Sequence, residues 1–219
     1  AWKQMFDEYL RERAKKLGEE LRPFDIEADY DQYVDGKPRY EGVRSFLASR
    51  GIELPQGTPD DPPSAETIDG LGNRKNVLVL KLIEEHGVEP YGGSVRYAKA
   101  AREAGLKRAV VSSSTNCREV LKAAGIEDLF DHIVDGNVAE HEHLKGKPAP
   151  DTFLAGARAL GVEPAQAAVY EDALAGVEAG RAGHFGIVVG VDRAGQADAL
   201  REHGADIVVQ DLAELLDAR

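Results

Sequence analysis

The stretch Ala168-Val-Tyr-Glu-Asp-Ala-Leu-Ala-Gly176 decides how the second half of the chain folds. Its first residues predict a strand that ends at Glu171 and Asp172, and the residues that follow predict a helix. Further upstream, Gly146-Lys-Pro-Ala-Pro-Asp-Thr-Phe153 places Lys147 one helix before the two carboxylates. Mg²⁺ takes oxygen ligands, and a lysine can neutralise charge on a phosphoryl group. The pattern therefore indicates a site for a metal ion and a phosphate.

Short apolar segments alternate with helical patterns from Val88 onward, as they do around Glu171. The other predicted strands are Arg108–Ser113, Asp131–Asp135, Phe185–Gly190 and Asp206–Val209. Strands that alternate with helices predict an α/β fold with a parallel sheet covered on both faces. Ligands bind beyond the carboxyl ends of the strands in such sheets, where Ser112–Ser114 and Glu171 are expected.

Residues 1–87 show helical periodicity and no convincing strand. Apolar side chains recur at helical spacing in three stretches, which are Trp2–Leu10, Val43–Ile52 and Val77–Ile83. The proline-rich segment 54–64 predicts a loop between the second and the third. We therefore expect a helical domain at 1–87 and an α/β domain at 88–219.

The composition excludes several classes of protein. With 42% apolar and 30% charged residues, the chain can form a hydrophobic core and is not expected to be disordered. A net charge of −12 disfavours binding to nucleic acid and to anionic membranes. No apolar run approaches the roughly 18 residues of a membrane span. The single Cys117 fits a reducing compartment, so we expect a cytoplasmic protein without membrane contacts.

Each polar segment also has a local explanation. Ser112-Ser-Ser-Thr-Asn116 resembles an anion site at a strand end, but taken alone it is better explained as a helix N-cap. A lysine such as Lys147 in a Gly/Pro loop is most often solvated, and Glu171 and Asp172 could simply face the dipole of the next helix. Their joint order at successive strand ends favours one shared site.

In this order the segments resemble motifs II, III and IV of the haloacid dehalogenase superfamily, and within it the β-phosphoglucomutase-like branch. The resemblance implies that Lys147 and Ser112 act in catalysis and that Glu171 and Asp172 hold Mg²⁺. It implies that phosphate and substrate contacts come from Ser113, Ser114 and Asn116.

Residues 1–87 resemble the α-helical cap of the same branch. The residues that the resemblance assigns to substrate contact there are Trp2, Arg39, Lys75 and Asn76. A solvated surface charge is the plain alternative for Arg39 and Lys75. Two positions depart from the family pattern, because Gly42 stands where a serine is expected and Thr115 where a lysine is expected.

Family members carry Asp-x-Asp-Gly on their first strand, and its first aspartate is the nucleophile. The motif does not occur here, since Asp31-Gln-Tyr-Val-Asp-Gly36 has the wrong spacing. We expect that a segment preceding Ala1 is missing, that its absence leaves two buried strand edges unpaired, and that the 219 residues alone are inactive.

The resemblance predicts Mg²⁺-dependent phosphoryl transfer on a small phosphorylated sugar by a monomeric enzyme, through an aspartyl phosphate. One alternative is a phosphatase that passes the phosphoryl group to water. A second is a non-catalytic protein that binds metal and phosphate. A nucleotide-binding Rossmann protein would fit the alternation of strands and helices but lacks the glycine fingerprint.

Overall fold

The computed structural model describes residues 1–18 and 20–217. They form two compact units. One comprises Ala1–Asp35 and Arg39–Gly87, and the other comprises Gly36–Pro38 and the chain from Val88. The sequence had placed residues 36–38 in the helical domain. They group with the second unit because their backbone lies against its loops, as the site below describes.

The first unit is helical. Its helices are α1 (Trp2–Leu17), α2 (Ala28–Tyr33), α3 (Arg39–Ser49) and α4 (Ile68–His86). Helix α1 ends at Gly18, whose left-handed φ of 71° lets its N–H reach the carbonyl of Ala14. Helix α4 begins after Thr67, whose hydroxyl accepts a hydrogen bond from Gly70 N–H. These caps fix where the two long helices stop and start.

Aromatic rings form the centre of the helical unit. Phe6 stacks on Phe24 with 5.2 Å between ring centroids and lies 4.1 Å from Phe46. All three are fully or almost fully buried, together with Met5 and Leu47. The apolar stretch Val77–Ile83 is helical as predicted, but Val77, Leu80 and Leu82 are exposed, and α4 buries its first turn instead.

The second unit alternates strands and helices. Its strands are β1 (Ala109–Val111), β2 (His132–Val134), β3 (Ala168–Glu171), β4 (Ile187–Val191) and β5 (Ile207–Val209). Its helices are α5 (Gly92–Glu103), α6 (Cys117–Ala123), α7 (Gly136–His141), α8 (Asp151–Leu160), α9 (Leu174–Ala182), α10 (Ala197–Glu202) and α11 (Glu214–Asp217). Two short 3₁₀ turns lie at Glu127–Leu129 and Pro164–Gln166.

All strand pairing in the second unit is parallel, but it forms two sheets where the sequence predicted one. Strand β1 pairs with β2, and β3, β4 and β5 pair in that order. Strands β1 and β3 thus have a strand neighbour on one side only among residues 1–18 and 20–217. All residues of β1 are half-buried, whereas four of the five in β4 are fully buried. Strand β1 of the two-stranded sheet is thus less buried than β4, the middle strand of the three-stranded sheet.

The second unit keeps one main apolar cluster despite the divided sheet. Phe153 of α8, Val169 of β3 and Val188 of β4 belong to it, and Val111 of β1 packs against it. Gly156 lets α8 approach β1, since a Cβ there would lie 3.0 Å from Val111 Cγ2. In the described part of the chain, no helix combines the length and the apolar character that crossing a bilayer requires.

Candidate functional site

An ion pair joins Lys147, in the turn before α8, to Glu171 at the carboxyl end of β3. Lys147 Nζ lies 2.7 Å from Glu171 Oε1, and the two side chains are only 6% and 13% exposed. The same Nζ lies 4.8 Å from the centroid of the Phe153 ring. A buried ammonium between a carboxylate and an aromatic face is held in one position. The structure thus brings together two of the residues that the sequence assigned to one site.

A glycine on α9 makes room for the Glu171 carboxylate. A Cβ at Gly176 would lie 1.8 Å from Glu171 Oε1, so only glycine fits there without moving the carboxylate. Asp172 follows Glu171 and is exposed, and its carbonyl accepts a hydrogen bond of 3.0 Å from Gln196 Nε2. One nearly buried and one exposed carboxylate therefore stand side by side at the end of β3.

This pair of carboxylates is a small donor set for a metal ion. No group of three or more His, Cys, Asp or Glu side chains is arranged to hold a metal among the described residues. Mg²⁺ is often bound by one or two carboxylates, with waters and substrate phosphates completing the shell. The oxygens of Glu171 and Asp172 fit Mg²⁺ in that manner and do not form a closed protein cage.

The segment Ser112–Asn116, here called the phosphate loop, connects β1 to α6. Ser114 N–H donates to Ser112 Oγ at 3.1 Å, and Asn116 N–H donates to Ser114 Oγ at 3.2 Å. Asn116 precedes α6 and is 8% exposed, but its side chain does not cap that helix. The hydroxyls of Ser112 and Ser114 therefore bond within the loop, and no side chain forms the helix N-cap that the alternative predicted for α6.

Residues 36–38 lie against three loops of the second unit. Ser113 Oγ donates to the carbonyl of Gly36 at 2.8 Å. A Cβ at Gly36 would lie 3.2 Å from Ala173 Cβ, and one at Gly146 would lie 2.7 Å from Pro38 Cγ. Sequence reasoning missed this contact, because Gly36 and Pro38 indicate a turn but not what the turn touches.

The helical unit gathers other predicted residues. Lys75 Nζ lies 4.8 Å from the centroid of the Trp2 ring. Burial, reinforced by the nearby charge of Arg39, lowers the Lys75 pKa from 10.5 to about 8. Gly42 is adjacent, because a Cβ there would lie 3.4 Å from the Trp2 ring. This cluster is cationic and is built on an aromatic face.

Asn73 is a residue of this region to which the sequence gave no role. Its Oδ1 accepts a hydrogen bond from Tyr40 OH at 3.0 Å and one from Arg39 Nη1 at 3.5 Å. Its Nδ2 donates to the carbonyls of Pro59 and Asp61, both at 2.9 Å. Asn73 thus joins α3, α4 and the loop between them. Asn76, the remaining predicted residue, also lies on α4.

Comparison with known proteins agrees with this architecture. A family model described as haloacid dehalogenase-like hydrolase matches residues 2–184. The beta-phosphoglucomutase of Mycobacterium tuberculosis (strain CDC 1551 / Oshkosh) is 58% identical over 219 residues, which cover 99% of this chain and 84% of that protein. The beta-phosphoglucomutase of Bacillus subtilis (strain 168) is 34% identical over 92% of this chain and 81% of its own length.

A solved structure gives the same result for the fold. The crystal structure of beta-phosphoglucomutase (pgmB) from Clostridium difficile superposes with a TM-score of 0.73 at 25% identity, covering 98% of this chain and 83% of that one. The predicted α/β fold with parallel sheets is confirmed. Because the family match begins at residue 2, it lends no support to the expectation of a missing segment. The chain belongs to the haloacid dehalogenase-like hydrolases, a family of enzymes, and among them it is similar to the beta-phosphoglucomutases.

Proposed function

We propose that this protein takes part in Mg²⁺-dependent phosphoryl transfer on a small phosphorylated sugar. The observation that carries the proposal is the buried Lys147 ammonium, fixed 2.7 Å from Glu171 Oε1, with the exposed carboxylate of Asp172 next to it. A fixed cation beside acidic oxygen ligands suits the charge that a transferring phosphoryl group spreads over its oxygens. The 58% identity to a protein named beta-phosphoglucomutase supports the choice of substrate class.

In this proposal Glu171 and Asp172 hold the metal ion. When bound there, Mg²⁺ would offset the negative charge of the phosphoryl oxygens. Lys147 supplies a second positive charge, which its ion pair with Glu171 keeps in place before substrate arrives. The hydroxyl of Ser112 and the backbone N–H of Ser113 contribute hydrogen bonds to the same group, since the Ser113 hydroxyl already donates to the carbonyl of Gly36.

The covalent step calls for a carboxylate nucleophile. We assign it to an aspartate whose oxygen bonds to phosphorus while the bond to the sugar oxygen breaks. The phosphoryl group then passes from the aspartate to a hydroxyl of the sugar.

The cationic cluster of the helical unit is proposed to bind the sugar phosphate away from the reacting group. Lys75 lies over the Trp2 ring, and Arg39 is close enough to add to the lowering of the Lys75 pKa. An anionic ligand would relieve the repulsion between the two cations. Asn76 extends the polar surface of the same helix. A grip on a second phosphate favours a mutase over a phosphatase.

The phosphatase remains the second candidate because two positions weaken that grip. Gly42 and Thr115 stand where the resemblance leads one to expect a serine and a lysine. Losing one hydroxyl and one positive charge reduces the number of groups available to a second phosphate. Water rather than a sugar hydroxyl would then take the phosphoryl group.

One assay tests these alternatives. The 219-residue protein is incubated with Mg²⁺, β-glucose 1-phosphate and a trace of glucose 1,6-bisphosphate. We expect isomeric sugar phosphate to form without release of inorganic phosphate. Phosphate release without isomer formation would favour the phosphatase. Binding of inorganic phosphate with no turnover would favour the non-catalytic protein.

A further inference from the structure

The turn after β2 is in contact with the phosphate loop after β1. This turn comprises Asp135, Gly136 and Asn137 and is called the β2–α7 turn. Gly136 N–H donates to the carbonyl of Ser114 at 3.1 Å, and Asn137 Nδ2 donates to the carbonyl of Thr115 at 2.8 Å. Two successive carbonyls of the phosphate loop are thus held by two successive residues of the turn.

Gly136 approaches the loop so closely that a side chain would not fit. A Cβ there would lie 2.9 Å from both Ser113 O and Thr115 N, which are backbone atoms. Gly136 does not have a left-handed φ, so its backbone conformation would accept another residue. The glycine is therefore required by the distance to the phosphate loop and not by the conformation of the turn.

Asp135 fixes the turn itself. Its carboxylate is buried, and Oδ1 accepts hydrogen bonds from the backbone N–H of Asn137 at 3.0 Å and of Val138 at 2.9 Å. Arg118 Nε lies 3.7 Å from its other oxygen. These bonds hold the turn at the residues that touch the phosphate loop.

Holding a carbonyl also fixes the N–H on the other side of the same peptide. The peptides of the phosphate loop are trans, since the single cis bond in the described residues is Lys147–Pro148. In a trans peptide the N–H points opposite to the carbonyl. The bonds to Ser114 O and Thr115 O therefore direct the N–H groups of Thr115 and Asn116 away from the β2–α7 turn.

We infer that Gly136 and Asn137 are positioning residues for the phosphate loop. They do not touch the phosphoryl group but hold the loop whose hydroxyls and N–H groups do so. The inference rests on the proposed function for its catalytic consequence, whereas its structural consequence is independent of activity. If the turn served only to start α7, changes at Gly136 and Asn137 would alter stability and leave the loop unaffected.

The test uses two variants, each with a matched control in the 219-residue protein. Asn137→Asp keeps the size of the side chain but replaces the amide donor by an acceptor that repels Thr115 O. Its control is Gln166→Glu, the same change of charge on an exposed turn of this unit. Gly136→Ala is controlled by Gly92→Ala. Gly92 likewise begins a helix, but a Cβ there would have its nearest neighbour at 3.8 Å.

The first readout is amide hydrogen exchange, followed by NMR, at Asn116 and Gly136, whose N–H groups donate to Ser114 Oγ and Ser114 O. Loss of one hydrogen bond of ordinary strength predicts exchange about two- to tenfold faster in Asn137→Asp, and no change in Gln166→Glu. Gly136→Ala is expected to accelerate exchange at the same amides while Gly92→Ala does not. Unchanged exchange in both test variants would overturn the inference whatever their activity.

The second readout is affinity for inorganic phosphate and, where turnover is present, the split between KM and kcat. Both test variants should weaken phosphate binding by about two- to tenfold, and the melting temperature of Asn137→Asp should follow that of Gln166→Glu. Weaker binding explained entirely by a lower melting temperature would contradict a positioning role. If the unaltered protein binds no phosphate but exchange still responds to Asn137→Asp, the proposed function fails and the positioning of the loop stands.

Discussion

Each unit of the molecule holds one lysine against an aromatic ring, Lys147 fully buried and Lys75 half-buried, and the surroundings of the two ammonium groups differ. In the α/β unit Lys147 is paired with Glu171 at 2.7 Å. In the helical unit Lys75 lies over Trp2 beside Arg39, and no carboxylate among the described residues pairs with it. Burial of a charge is costly unless a partner offsets it. The first site is balanced before any ligand binds, whereas the second is left with positive charge that an anion can balance.

The largest expected effect comes from replacing Lys147, whose charge is paired with that of Glu171. Lys147→Met leaves the Glu171 carboxylate nearly buried without its cation, so we expect a loss of about 3–5 kcal/mol in the free energy of unfolding. Turnover of sugar phosphate should fall by about a hundredfold or more, because a charge that stabilises the transferring group is gone. Chemical denaturation without divalent cations and steady-state kinetics measure the two effects.

The double variant Lys147→Met/Glu171→Gln separates the two effects. With both charges removed, most of the lost stability should return, since no unpaired buried charge remains. Activity should stay low because neither the cation nor the metal-binding carboxylate is restored. Recovery of activity along with stability would show that the pair is structural only.

Replacing Lys75, in contrast to replacing Lys147, should not destabilise the protein. Lys75→Met relieves the cost of a buried charge next to Arg39, so the free energy of unfolding should not fall. Affinity for sugar phosphate near neutral pH should decrease by about tenfold or more, because a charge-assisted hydrogen bond is lost. Lys81→Met, on the exposed side of the same helix, is the control. Equal loss in both variants would point to a general charge effect.

The lowered pKa of Lys75 predicts a dependence of stability on pH. The value is about 8 in the folded protein against 10.5 for the free group, so between these values the unfolded chain binds more protons. The unfavourable contribution of the buried charge is complete below about pH 8 and disappears as the pH rises towards 10.5. Stability relative to Lys75→Met should therefore rise by about 1–3 kcal/mol over that window. A flat difference between the two proteins would contradict this assignment.

Local patterns predicted the α/β fold and the positions of the site residues better than they predicted contacts. Glu171 and Ser112 stand at strand ends, which a strand followed by polar residues indicates directly. The ion pair of Lys147 with Glu171 joins residues 24 positions apart and depends on how α8 packs. The Trp2–Lys75 contact and the lowered pKa of Lys75 follow from tertiary burial in the same way.

The strand pairing and the segment 36–38 show the same limit. Apolar segments predict strands but not which strands pair, and the structure has two parallel sheets in place of one. The pattern of Val77, Leu80 and Leu82 suits a helix, yet these side chains are exposed, since periodicity does not state what covers a face. No local pattern predicted that Gly36 contacts Ser113.

The smallest expected effect comes from a substitution at Gly42, which lies close to the Trp2 ring that Lys75 contacts. Gly42→Ser introduces the residue that the family resemblance leads one to expect, and its Cβ would meet the Trp2 ring at an ordinary 3.4 Å. Gly42 has no left-handed φ and lies inside α3, so the free energy of unfolding should change by less than about 1 kcal/mol. The added hydroxyl should lower KM for a doubly phosphorylated sugar by a few-fold at most, about one neutral hydrogen bond. Steady-state kinetics with β-glucose 1-phosphate as the comparison substrate measure the difference. Because a hydroxyl near Lys75 can help only a ligand that reaches the cationic cluster, an equal change for both sugars would place the second phosphate elsewhere.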